Sequence, residues 1–257
     1  MSIEALPLDE TFVTYPGADG FGIRALLCRP RNPSPLPGVV LVHEMYGLTE
    51  HISQTARRLA HEGYAVLAPD LFSRGDGPGW PPVKERIPIV GDYPDLRTTE
   101  DLERAIEVLR NAPGVDTERI ACMGFSFGAR YILFACARRR DVTAAVIFYP
   151  ALFYRRLTEN RVAQPLTSIR HIACPALFLY GEQDQMVELS EMKQLRQLAS
   201  IYDQGHQYHR YPDAGHGFFN DTLKTHHPEA AADSWTRTLA FLDRHLRPPV
   251  AGDADHA

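Results

Sequence analysis

The sequence predicts an α/β fold, with a mainly parallel central sheet and helices on both faces of a single domain. Three observations carry this. The chain has 257 residues, 44% hydrophobic and 23% charged, which suits one α/β domain and excludes a disordered or fibrous chain. Short apolar runs of strand type alternate with stretches of helical period. No internal repeat and no Ser/Gly linker divides the chain.

Taken in order, Phe12–Tyr15 and Ile23–Cys28 flank Asp19-Gly20, a hairpin-type turn signal. Gly38–His43 is a short apolar run, as a strand covered on both faces should be. Ile52–His61 predicts a helix with Ile52, Ala56, Leu59 and Ala60 on one stripe, ending before a C′ glycine, Gly63. Tyr64–Ala68 is the next strand, stopped by Pro69-Asp70. Residues 71–94 form a long Pro/Gly-rich connection, of the length that marks a functional or mobile loop.

Asp95–Arg110 predicts a helix with Leu102, Ile106 and Leu109 on one face, Arg119–Met123 a strand, and Ser126–Arg138 a helix. Arg138-Arg139-Arg140 is read as cations complementing the helix C-terminus. Ala144–Tyr149 and Ala176–Tyr180 are buried-type strands, Glu188–Ile201 a helix, Gln207–Tyr211 a strand and Ala230–Leu246 a final helix. Repeated βα units imply parallel pairing. Chemistry then gathers in loops beyond the carboxyl ends of the strands. Residues 1–10 and 248–257 read as flexible ends, leaving 11–247 as the domain.

Charge and cysteine usage narrow the partners. With 27 basic and 32 acidic residues, net −5, the chain is not expected to bind nucleic acid through phosphate contacts. Cys28, Cys122, Cys136 and Cys174 are widely spaced without a CxxC pair. They read as buried reduced thiols of a cytoplasmic protein. No run approaches the roughly 18 apolar residues of a membrane span, and the first residues lack a signal-peptide pattern. His43-Glu44 is not followed by the second His of H-E-x-x-H, and no Cys/His cluster has ligand spacing. No metal and no cofactor is expected, and no membrane partner; a small molecule is the expected partner.

The chemistry-bearing residues fall in three of the predicted loops. Gly124-Phe125-Ser126-Phe127-Gly128 lies between a strand and a helix, the setting of a G-x-S-x-G nucleophile elbow. A strained turn there lifts the serine above the sheet, and the flanking glycines let helix and strand approach. A serine hydroxyl needs a base, and the base needs an orienting carboxylate. Gly181-Glu182-Gln183-Asp184 follows one later strand and Asp213-Ala214-Gly215-His216-Gly217-Phe218 follows another, giving the order Ser, acid, His. Asp184 is expected as the acid, with Glu182 as its rival, and His216 as the base. The loop after Gly38–His43 runs Glu44-Met45-Tyr46-Gly47-Leu48. The backbone N–H groups of Met45 and Phe127 are the expected oxyanion donors.

These stretches, with Val42-His43 and Glu62-Gly63-Tyr64 through Pro69-Asp70-Leu71-Phe72, resemble the dienelactone hydrolase family of the α/β-hydrolase superfamily. The resemblance implies a single α/β-hydrolase domain without a large cap, and hydrolysis of an enol-lactone or similar small ester. A broad carboxylesterase or thioesterase with a non-lactone substrate is the alternative. The family's best-known members carry Cys where this chain has Ser126, and use a Glu matching Glu44 to help form the thiolate. A carboxylate can serve a thiol of pKa about 8.5 but hardly an alcohol, which leaves Glu44 as a positioning residue. Those members also hold a substrate carboxylate with an Arg four residues after the catalytic His, where this chain has Asn220. A second Arg comes from the variable 71–94 region, where Lys84 and Arg86 stand here. The resemblance thus places Glu44 and Asn220 among substrate-binding or positioning residues.

Overall fold

The apolar runs pair into an eight-stranded sheet of order β1-β2-β4-β3-β5-β6-β7-β8. In this computed structural model the described residues are 7–32, 34–74, 90–202 and 204–247. The strands are β1 (Leu8–Pro16), β2 (Gly22–Pro30), β3 (Leu36–Val42), β4 (Ala65–Pro69), β5 (Val115–Phe125), β6 (Ala144–Phe148), β7 (Ala176–Gly181) and β8 (Gln207–Tyr211). β2 pairs antiparallel with β1 and with β4, and all other pairings are parallel. The helices are α1 (Glu50–His61), α2 (Asp95–Arg110), α3 (Phe127–Arg138), α4 (Leu189–Ala199) and α5 (Pro228–Leu246).

The sheet is covered on both faces. Val39 and Leu41 of β3 point into a cluster with Ile52, Ala56 and Leu59 of α1 and Phe241, Leu242 and Leu246 of α5. Val40 and Val42, the alternate residues, pack with Leu102, Ile106 and Leu109 of α2, Ala129 and Ile132 of α3, and Met192 and Leu195 of α4. A strand alternates its side chains between the two faces, so two apolar faces require the unbroken apolar run seen in β3.

The first strand begins earlier than expected. Leu8, Asp9 and Glu10, read as part of a loose 1–10 segment, pair with Pro30, Arg29 and Cys28. β1 is an edge strand with an exposed polar face, so it lacks the apolar density that marks a buried strand. Residues 1–6 of the predicted N-terminal segment, the C-terminal tail, Lys84 and Arg86 lie outside the described residues. A 3₁₀ helix at Pro165–Arg170 follows β6 and was not expected. The arginine run does more than face a helix dipole. Arg138 pairs with Glu103 at 2.7 Å, Arg139 with Glu107 and Asp141, and Arg140 donates to the His171 carbonyl at 3.0 Å. The first two tie α3 to α2. All four cysteines are free and buried. Among the described residues no helix is long and apolar enough to cross a membrane.

Candidate active site

Ser126 sits between β5 and α3 with φ 48° and ψ −106°. Ser126 and Tyr149 (φ 35°) are the non-glycine residues with positive φ among those described. Such backbone persists only where the surroundings enforce it. Here they do: the Ser126 N–H donates to the Phe148 carbonyl at 3.0 Å. Backbone packing requires the glycine at 128, and at 124 a side chain would be tight. A Cβ on Gly128 would lie 2.5 Å from the His43 carbonyl oxygen, and one on Gly124 would lie 2.6 Å from Ile132 Cδ1.

The serine, histidine and aspartate expected from three separate loops meet in a line. Ser126 Oγ lies 2.8 Å from His216 Nε2, and His216 Nδ1 lies 2.7 Å from Asp184 Oδ2. The Asp184 side chain is 2% exposed, and its Oδ1 accepts from the Met186 and Val187 N–H groups at 2.7 and 2.8 Å. A carboxylate at Nδ1 places the ring proton there, so Nε2 is left as the acceptor facing the serine. Glu182, the rival acid, pairs instead with Arg210 at 2.9 Å. The acid and base loops are sewn together by Glu182 N–H to the Tyr211 carbonyl at 2.9 Å and Gln183 N–H to the Ala214 carbonyl at 3.0 Å.

The loop that carries Met45 is braced by a contact that the sequence did not reveal. His43 is fully buried. Its Nε2 accepts from the Leu71 N–H at 3.0 Å, which leaves Nδ1 to donate to the Glu44 carbonyl at 2.5 Å. Asp70 Oδ1 accepts from the Phe72 N–H at 3.1 Å, and Phe72 packs on His43 and on Phe127 with ring centres 4.8 and 4.9 Å apart. The His43–Leu48 and Pro69–Phe72 stretches are thus two halves of one support for the loop that carries Met45. Phe127 is the first residue of α3, where a helix leaves its N–H without an intrahelical partner.

Glu44 and Asn220 come together beneath the triad. Glu44 is 4% and Asn220 2% exposed. Asn220 Nδ2 donates to Glu44 Oε2 at 2.7 Å, and the Tyr149 hydroxyl donates to Glu44 Oε1 at 3.0 Å. Asn220 Oδ1 accepts from the Thr222 N–H and hydroxyl at 3.0 and 2.7 Å. Its amide is therefore turned inward, which suits positioning and not the substrate contact also expected of it. Tyr149 was missed by sequence reasoning because it ends an apolar strand run and reads as core. Burial, and then the Glu44 carboxylate, hold its phenol well above the ordinary range, so it remains a donor. Among the described residues no group of three His, Cys, Asp or Glu is arranged to hold a metal ion.

A model of the dienelactone hydrolase family matches residues 23–246. The chain belongs to the dienelactone hydrolase family. An Escherichia coli K12 relative provisionally named carboxymethylenebutenolidase is 32% identical over 238 residues, which cover 91% of this chain and 86% of the relative. A Bradyrhizobium relative, provisionally named 2-oxo-3-(5-oxofuran-2-ylidene)propanoate lactonase, is 27% identical over 96% of this chain and 98% of its own. Among solved structures, a provisionally named dienelactone hydrolase from Klebsiella pneumoniae superposes with a TM-score of 0.86 at 29% identity, covering 93% of this chain and 99% of that one. As a dienelactone hydrolase family member, this protein is an enzyme, a carboxylic ester hydrolase built as a single α/β-hydrolase domain, with no large cap among the described residues.

Proposed function

We propose that this dienelactone hydrolase family member is a serine hydrolase, opening small lactones or cleaving small carboxylic esters through an acyl-enzyme on Ser126. The observation that carries the reading is the Ser126–His216–Asp184 line on a strained elbow, at 2.8 and 2.7 Å. Ser126 Oγ attacks the carbonyl carbon while His216 Nε2 takes its proton, and Asp184 steadies the resulting imidazolium. The Met45 and Phe127 N–H groups receive the oxyanion. His216 then gives its proton to the departing alkoxide, which in a lactone stays tethered to the acyl chain. Water, deprotonated by His216, attacks the acyl carbonyl and releases the carboxylate and the free serine.

The inward turn of Asn220 favours a broad ester range, because a neutral amide with both ends engaged offers no charge to a substrate carboxylate. The four buried free thiols accord with a cytoplasmic setting.

A fluorophosphonate probe tests the reading. The expected result is loss of esterase activity with the label on Ser126, and none in Ser126→Ala, whose kcat falls by about 10³-fold or more. Activity surviving in Ser126→Ala above a tenth of wild type, or a label on Cys122, overturns it. Relative kcat/KM for a dienelactone, neutral acetyl esters and thioesters then fixes the substrate range.

A further inference from the structure

The buried Glu44 carboxylate joins three separate loops. Glu44 follows β3 and directly precedes Met45, Tyr149 follows β6, and Asn220 follows the catalytic His216 by four residues. Each partner is itself held. Tyr149 donates its N–H to the Leu179 carbonyl at 2.8 Å, and its ring meets the His216 ring edge-on with centres 5.0 Å apart. Asn220 is fixed through its oxygen by Thr222. The Glu44 carbonyl is held in turn by His43 Nδ1 and by the Gly47 N–H at 3.2 Å.

We infer that Glu44 is a positioning residue: its carboxylate is a strut that fixes the Met45 N–H relative to Ser126 and His216, and it carries no proton in the reaction. This rests on the serine-hydrolase reading above. Both Glu44 oxygens accept from neutral donors, whereas Ser126 Oγ already has its base at 2.8 Å. A carboxylate that moved protons for the nucleophile would have to leave both donors. The Tyr149 hydroxyl would then be a buried donor without an acceptor, which is costly. The strut needs reach and two contacts, but not charge. A glutamine side chain keeps the reach and most of the contacts: its oxygen accepts from Asn220 Nδ2 and its NH₂ donates to the Tyr149 oxygen, and only the Tyr149 proton loses its acceptor.

Two isolated properties can therefore be separated by two substitutions. Glu44→Gln keeps the length and removes the charge, and Glu44→Asp keeps the charge and shortens the reach. The measurements are kcat and KM for a nitrophenyl ester, the pH profile of kcat/KM, and inhibition by a trifluoromethyl ketone, whose adduct with Ser126 carries the oxyanion. The expected result for Glu44→Gln is a fall in kcat of less than about tenfold, with KM within about twofold and the same pH profile. For Glu44→Asp it is a fall in kcat of about 10- to 100-fold, with KM within about twofold and ketone affinity weakened in proportion to kcat. Tyr149→Phe is expected to fall between them. Glu44→Gln falling as far as Glu44→Asp, Glu44→Asp staying fully active, or an altered pH profile in Glu44→Gln overturns the strut. A wild-type enzyme that the fluorophosphonate fails to label at Ser126 overturns the serine-hydrolase reading instead.

Discussion

In the proposed mechanism His216 takes the Ser126 proton only in the tautomer with its own proton on Nδ1, and the 2.7 Å contact with Asp184 favours that tautomer. Asp184→Asn tests how much this matters. The new side chain's oxygen still accepts from Met186 and Val187, so the loop keeps its shape, but its NH₂ now faces His216 Nδ1. The ring proton moves to Nε2, where it points at the serine. The expected outcome is a fall in kcat of about 10³- to 10⁴-fold with KM nearly unchanged. Kinetics at wild-type level would move the acid role elsewhere. That Ser126, Asp184 and His216 would meet was legible because each stands in a local pattern: an elbow, a post-strand carboxylate, a histidine between glycines. His43, Tyr149 and the inward turn of Asn220 were not legible, for their partners lie 28, 105 and 176 residues away. Nothing near a residue in sequence announces a contact of that span.

At the scale of elements, the site depends on how closely α3 approaches β3. The two meet at Gly128, against the Val42 and His43 carbonyl oxygens. Gly128→Ala would put its methyl 2.5 and 2.7 Å from those oxygens, and backbone on both sides leaves no flexible tip to yield. The helix must shift outward, carrying Ser126 with it. The expected cost is about 1–3 kcal/mol of stability, read as a lowered urea midpoint. A loss of kcat of about 10²-fold should accompany it, since misplacement by about 1 Å costs that much. An alanine variant with wild-type kcat would show that the elbow tolerates the shift. The buried elements were the most legible part of the fold, because strands covered on both faces must be apolar throughout, as β3, β4 and β6 are. The start of β1 at Leu8–Glu10 and the 3₁₀ helix at Pro165–Arg170 escaped because an edge strand and a short helix are shaped by their neighbours more than by their own period.

Across the whole molecule, three histidines outside the triad link stability to pH in one direction. His51, His209 and His245 all titrate below their ordinary value of 6.5, chiefly because burial disfavours the charged ring. For His51 the nearby Glu44 and Asp221 carboxylates oppose this without overcoming it. In the unfolded chain these rings regain an ordinary pKa of about 6.5, so below that value the unfolded state binds more protons than the folded one. Stability therefore rises with pH up to about 6.5 and declines as pH falls below it, until the folded histidines also charge. The carboxylates held low in the folded state, including Glu10, Asp141 and Asp233, act in a separate window. They contribute above the ordinary carboxylate range of about 4 and are lost only below it. His51 is the most buried of the three histidines; Asp221 stands 3.3 Å from its Nδ1, but its Nε2 has no hydrogen-bond partner, so protonation adds a buried donor there that no acceptor meets. Urea midpoints in the wild type are expected to change little between pH 7.5 and 6.5 and to fall between pH 6.5 and 5.5. They should fall less steeply in His51→Gln, which cannot titrate. A wild-type midpoint that is flat over this range, or a His51→Gln slope equal to the wild type's, would show that His51 does not set the acid limit.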